Sequence, residues 1–274
     1  MKRMFKFISI CLVISIMCAS SMLYSLATTI IDGDTVRNDE RIFEKSEGLI
    51  LDENVSVQEQ LDVVSKSNIL SDEQKSQAVD KINFSARFKT AGEMKSSNES
   101  YRYTIPVPYF KQENSYFCGP ATTKQTIHYI EGVSPSQYVI ANALGTTTSG
   151  TDGADIVTYL NANQQYVYYV DITPTSESDM ASAIYRGMSH YGSAPILRLK
   201  MTTGQGWSYG SNGHFMNASG IYSSEYSTTG ARQYEVTDPY IRYVDQSVTN
   251  GKYRISSTAV YNSTMNHFAQ EFYY

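Results

Sequence analysis

Residues 112–121 read Gln112-Glu113-Asn114-Ser115-Tyr116-Phe117-Cys118-Gly119-Pro120-Ala121. Proline has a fixed φ and no N–H, so it suits the first turn of a helix and little beyond it. Pro120 therefore predicts that a helix opens here, and the apolar spacing from Thr122 to Ile130 continues it. Cys118 then stands at the helix N-terminus. The first N–H groups of a helix have no partner inside it, and with the helix dipole they favour an anion. A cysteine in that position is biased toward thiolate, its nucleophilic form. Gly119 leaves the backbone free to approach whatever the sulfur attacks. The competing reading is an inert core thiol, which requires neither Gly119-Pro120 nor the polar lead-in.

Upstream, Tyr103 to Pro108 must be extended, because prolines two residues apart exclude a helix. Helical patterns follow over Ala154–Leu160 and Ser178–Met188, the second stopping near Gly192. Strand patterns cover Tyr166–Val170, Pro195–Met201, His214–Tyr222 and Tyr234–Thr237. The glycine-rich stretch Gly204–Gly213 reads as a loop, and Ser223–Gln233 as the polar tip between the last two strands. Helices early and strands late predict an α+β domain over 101–274 with an antiparallel sheet.

Tyrosine and charge divide the chain. Residues 28–100 hold no tyrosine and a net charge of −6, whereas 101–274 hold 22 tyrosines and −2. Within 28–100, Ser71 with Gln74 three residues on reads as a helix start, and one or two amphipathic helices are expected. The segment reads as a removable pro-segment that leans on the second body and shields its groove until removed, or as a plain linker. Residues 1–27 open with three cations in six positions. An apolar run of about eleven residues follows, Phe7 to Met17, too short to span a bilayer and of secretory-signal length. Cleavage after Ser25-Leu26-Ala27 is expected; a retained anchor is the alternative. Cleavage removes Cys11 and Cys18 and leaves Cys118 as the lone thiol of an exported protein. That usage and the basic start suit a secreted or cell-surface protein of a Gram-positive bacterium. Hydrophobic residues at 41% and a formal charge of −5 describe a folded domain with no basic surface, so nucleic acid is not an expected partner.

A thiolate nucleophile needs a base and an orienting group. Of the four histidines, His128 lies ten residues along the helix from Cys118, about 15 Å away. His190 sits at a helix end and His267 in the terminal stretch, which leaves His214. Asp238, before Pro239, is the candidate orienting group, with a turn-forming Asp-Pro as the bland reading. Asp152 and Asp155 have no His or Cys beside them and read as turn and N-cap residues, so no metal is expected. Trp207 suits either a substrate-facing wall or a surface aromatic. Tyr166, Tyr168 and Tyr169 suit either a sheet or a ligand-stacking stripe.

The run Ile105-Pro106-Val107-Pro108-Tyr109-Phe110-Lys111-Gln112, then Cys118-Gly119-Pro120-Ala121, Gly213-His214-Phe215 and Val236-Thr237-Asp238-Pro239 resemble the papain-like cysteine peptidases, and within them the C39-like bacterial family. The resemblance spans roughly 105–260. It implies a papain-like fold with N-terminal helices packed on an antiparallel sheet, a peptide or protein substrate, and no cofactor. It also implies roles: Cys118 as nucleophile, His214 as base, Asp238 as its partner, and Gln112 with the Cys118 N–H as oxyanion-hole donors. The interval of 24 residues from His214 to Asp238 is long for that pattern and is assigned to an extended hairpin. The ATP-binding and transmembrane regions of the bacteriocin-exporting members have no counterpart here, so neither their transport role nor their substrate type carries over. Two other functions fit the same residues: acyl transfer to an amine, as in transglutaminase-like relatives, and a non-catalytic binding or adhesion module on a peptidase scaffold.

Overall fold

The computed structural model of the protein describes residues 56–90, 102–226 and 230–274. The expected signal at 1–27 lies outside them. The elements in chain order are α1 Val57–Lys66, α2 Asp72–Thr90, β1 Arg102–Thr104, α3 Cys118–Glu131, α4 Gln137–Ala143, α5 Gly153–Asn163, β2 Asp171–Ile172, α6 Glu177–His190, β3 Ile196–Met201, β4 Ser211–Tyr222, β5 Gln233–Thr237, α7 Ile241–Val244, β6 Lys252–Ser256, α8 Ser257–Asn266 and β7 Phe272–Tyr273. Every strand pair is antiparallel, in the order β2-β7-β3-β4-β5-β6 with β1 added to β4. The fold is thus α+β, helices packed on an antiparallel sheet.

Local chemistry sets the helix starts. Ser71 accepts from the Gln74 N–H at 3.1 Å while its own N–H donates to Gln74 Oε1 at 3.0 Å, closing the capping box that the sequence predicts. Asp152 caps α5 by accepting from the Ala154 N–H. α3 has no side-chain cap at Phe117, so its first N–H groups are left for another partner.

One apolar core joins Val64, Ala78 and Ile82 of the first two helices, and Leu70 between them, to Met180 and Ile184 of α6 and to Leu197 and Met216 of the sheet. Residues 57–83 are therefore packed as part of the same body as the sheet, and the composition break near residue 100 is not a break in the core. Their polar contacts fall on Asn161, Gln164–Tyr168, Arg186, His190, Tyr191 and Tyr274, not on Cys118, His214 or Asp238.

Three expectations are corrected. Tyr166–Val170 is not a strand. Its backbone is satisfied mostly by side chains: Gln77 Oε1 takes the Tyr168 N–H, Asn161 Oδ1 the Tyr169 N–H and Gln164 Oε1 the Val167 N–H. Lys81 Nζ donates to the Tyr168 carbonyl, and only Val170 exchanges backbone bonds, with Tyr274. Side-chain amides and an ammonium replace a ladder, which periodicity cannot reveal. Nor is there a stacking stripe, since Tyr168 and Tyr169 are fully buried. Trp207 is neither wall nor surface: it is 3% exposed and donates its indole N–H to Ser263 Oγ at 2.8 Å.

Candidate active site

Cys118 is the first residue of α3, so its N–H has no partner one turn earlier. The helix is pinned to β4 by two buried bonds, Thr122 Oγ1 to the Phe215 carbonyl at 3.0 Å and Asn217 Nδ2 to Thr126 Oγ1 at 2.8 Å. Those bonds lie close to His214 along β4 and fix where the thiol sits against it. Gly119 is required by packing: a Cβ there would lie 2.5 Å from Thr151 Oγ1.

β4 carries His214 opposite Leu199 of β3. On its other side β5 pairs Asn217 with Thr237, and one further step sets Asp238 across from Met216. Asp238 and His214 therefore share a face as diagonal neighbours, within reach of polar side chains. The register thus closes the 24-residue sequence gap. Among the described residues between them, β4 and β5 pair as a hairpin and the short turn Ser224–Tyr226 follows β4.

His214, 4% exposed, places Nε2 2.9 Å from Asp238 Oδ1. Its ring is also hydrogen-bonded to the half-buried Cys118. Burial works against the charged imidazolium, but the Asp238 carboxylate and the Cys118 sulfur outweigh it and raise the proton affinity of His214 far above its ordinary 6.5. Burial likewise pushes the Cys118 thiol up. The bond and charge of His214, with the N–H groups of Phe215 and Gly119, bring it below its ordinary 9.0. These shifts together favour a thiolate–imidazolium pair near neutral pH.

Asp238 is fully buried and would by burial alone titrate high; the His214 charge and the donors around it hold it below 3.8. Oδ1 takes His214 and the Tyr240 N–H at 2.8 Å, while Oδ2 takes the hydroxyls of Tyr209 at 2.7 Å and Tyr253 at 3.0 Å. The rings of Tyr209 and Tyr240 meet the imidazole edge to face, with centroids 5.8 and 6.4 Å away. Sequence reasoning missed these three tyrosines. Tyr209 and Tyr253 lie 29 and 15 residues from Asp238, and Tyr240, two residues on, carries no motif of its own.

Gln112 is 1% exposed, and its loop is tied to the Asp238 strand by the bond from its N–H to the Pro239 carbonyl at 3.0 Å. Tyr243 Oη donates to the Gln112 carbonyl at 2.9 Å. One hydrogen of the side-chain amide goes to the Asn114 carbonyl at 2.7 Å, fixing the group and leaving a second N–H on the same nitrogen. The other histidines are elsewhere. His128 faces Phe110 and Ser134, His190 is exposed beside Asp80, and His267 is buried and shifted down to about 4 by burial and by Arg198 and Lys200.

No family model and no curated protein matches the chain. Among solved structures it is similar to the peptidase domain of Streptococcus ComA, a bi-functional ABC transporter involved in a quorum-sensing pathway. Identity is 15% and the TM-score 0.40, over 62% of this chain and 97% of that one. It is also similar to a double glycine motif protease from an AMS/PCAT transporter, solved with its leader peptide, at 14% identity and TM-score 0.39 over 62% and 91% of the two chains. At that level of likeness any functional reading rests on the site's own geometry.

Proposed function

We propose that the chain is an exported cysteine peptidase that cleaves peptide or protein substrates. One observation carries the reading: a thiol at a helix N-terminus hydrogen-bonded to an imidazole whose Nε2 is held by a buried carboxylate. In this reading Cys118 attacks the carbonyl carbon as thiolate, and the carbonyl π electrons move onto oxygen. His214 holds the proton and delivers it to the leaving amine as the acyl-enzyme forms, then takes a proton from the water that hydrolyses it. Asp238 keeps the imidazole oriented and stabilises its charged form. The Cys118 N–H and the second Nε2 hydrogen of Gln112 serve the oxyanion. Residues 1–27 direct export, and residues 28–100 are read as a pro-region whose described helices brace the catalytic body.

The test is alkylation of Cys118 by iodoacetamide alongside cleavage of a casein or peptide-library substrate. Fast labelling at pH 6 that collapses in His214→Ala, with cleavage lost in Cys118→Ala, supports the reading. Ordinary thiol kinetics indifferent to His214 would end it. Mass analysis of products in the presence of an added amine separates hydrolysis from acyl transfer.

A further inference from the structure

A carboxylate sealed from water needs all its lone pairs occupied to remain charged. His214 and the Tyr240 N–H occupy Oδ1 of Asp238, and nothing in that pair addresses Oδ2. Two hydroxyls from separate parts of the fold converge there: Tyr209 from the loop before β4, and Tyr253 from β6 beyond β5. Convergence from two elements is not a product of local packing. It also fixes which oxygen faces the imidazole.

We propose that Tyr209 and Tyr253 are positioning residues of this site, holding Asp238 ionised and lowering the pH at which the Cys118–His214 ion pair forms. The proposal rests on the cysteine-peptidase reading above. Two hydroxyl donors on Oδ2 stabilise the carboxylate as an anion and make it a poorer proton acceptor. Without them Asp238 draws the shared proton from His214 toward itself, the imidazole becomes less cationic, and the thiolate at Cys118 loses its stabilising field. The phenols remain protonated throughout, because burial and the Asp238 charge both push their ionisation up. The titratable and charged groups facing the pair are Cys118 from α3, Tyr209, Tyr240, Tyr253, and Tyr109 from the lead-in to α3, with Arg242 beyond it. Of these only Tyr209 and Tyr253 donate to Oδ2.

The experiment follows iodoacetamide alkylation of Cys118 in the full chain, quantified on the Cys118 peptide by mass spectrometry, from pH 3 to 9. Wild type is compared with Tyr209→Phe, Tyr253→Phe, the double variant, and the same changes in an Asp238→Asn background. Hydrogen bonds to a charged group move its balance by about a unit or less when shared. The thiolate midpoint should rise by about half a unit in each single variant and by about one unit in the double. In Asp238→Asn, with no charge to hold, the tyrosine changes should add less than about a third of that shift. A double variant with unchanged unfolding temperature and an unmoved midpoint overturns the proposal, as does an equal shift in the Asp238→Asn background. Should the double variant fold poorly, the single variants decide the question in the same way, since each retains its ring. Failure of the peptidase reading looks different: wild-type Cys118 would then titrate as an ordinary thiol, insensitive to His214→Ala.

Discussion

Lys81 and His214 are both sealed from water, and the protein houses them in opposite ways. His214 has a carboxylate 2.9 Å from Nε2 and the Cys118 thiol as a second partner, and its hold on a proton is strengthened. Lys81, fully buried, donates to the carbonyls of Tyr168 at 2.5 Å and Tyr274 at 2.8 Å. Its nitrogen lies 4.6, 5.0 and 5.7 Å from the ring centres of Tyr191, Tyr274 and Tyr169. Burial outweighs the help of neighbouring Asp80 and brings its proton affinity well below 10.5. Asp80 itself is engaged by Tyr191 and Arg186. The contrast separates two uses of a buried charge. Beside a counter-charge and a nucleophile it is a reactive group; among carbonyls and rings it is a clamp, here for a segment that lacks a strand partner.

The widest break between the two regions should come from His214→Ala. We expect peptide cleavage to fall by about 10⁴-fold or more. Labelling of Cys118 at pH 6 should fall on the order of 10²-fold, as the thiol returns toward its free pKa. Unfolding in denaturant checks that the fold survives. Gln112→Ala should lower kcat by about 10²–10³-fold with the fold intact, and a wild-type rate would remove Gln112 from the oxyanion role. Lys81→Ala acts on the other region. It strips two buried carbonyls of their donor and leaves a cavity, for a loss of about 2–4 kcal/mol by urea titration. Cleavage per folded molecule should be unchanged. Lys81→Met, which refills the volume without the charge, should cost much less.

The finest distinction is in pH. The folded-state pKa of His214 is raised from 6.5 to about 10, so its stabilisation is complete below 6.5 and disappears as pH climbs through about 10. The folded-state pKa of Lys81 is depressed, so its contribution is present above 10.5 and is lost as pH falls toward the folded value. The stability of wild type relative to His214→Gln should therefore shrink between about pH 9 and 10, above the range in which the lowered Cys118 thiol offsets it. Relative to Lys81→Met it should grow over the same range. Slopes of the same sign would erase the comparison.

Sequence signals are strongest where a residue's effect is local. Pro120 marks the start of α3, Ser71 with Gln74 that of α2, and Asp152 that of α5, because caps and first turns are short-range chemistry. His214 is legible largely by elimination, and Asp238 by its place before proline. Their contact depends on the β4–β5 register, which no local signal specifies. Tyr166–Val170 carries the pattern of a strand without being one. Its β-rich composition is real, while its hydrogen bonds run to Gln77, Asn161, Gln164 and Lys81. Nothing near Lys81 in the chain separates it from a solvated helix cation.

Local chemistry along the chain was thus enough to establish that a helix begins at Cys118, that strands follow helices, and that an imidazole and a carboxylate are available downstream. Three-dimensional packing chose which strand faces bring those groups together, which tyrosines complete the carboxylate, and where a buried lysine replaces a strand. Caps and turns depend on atoms within four or five residues. Partners for buried charges are selected by contacts between elements that can lie a hundred residues apart.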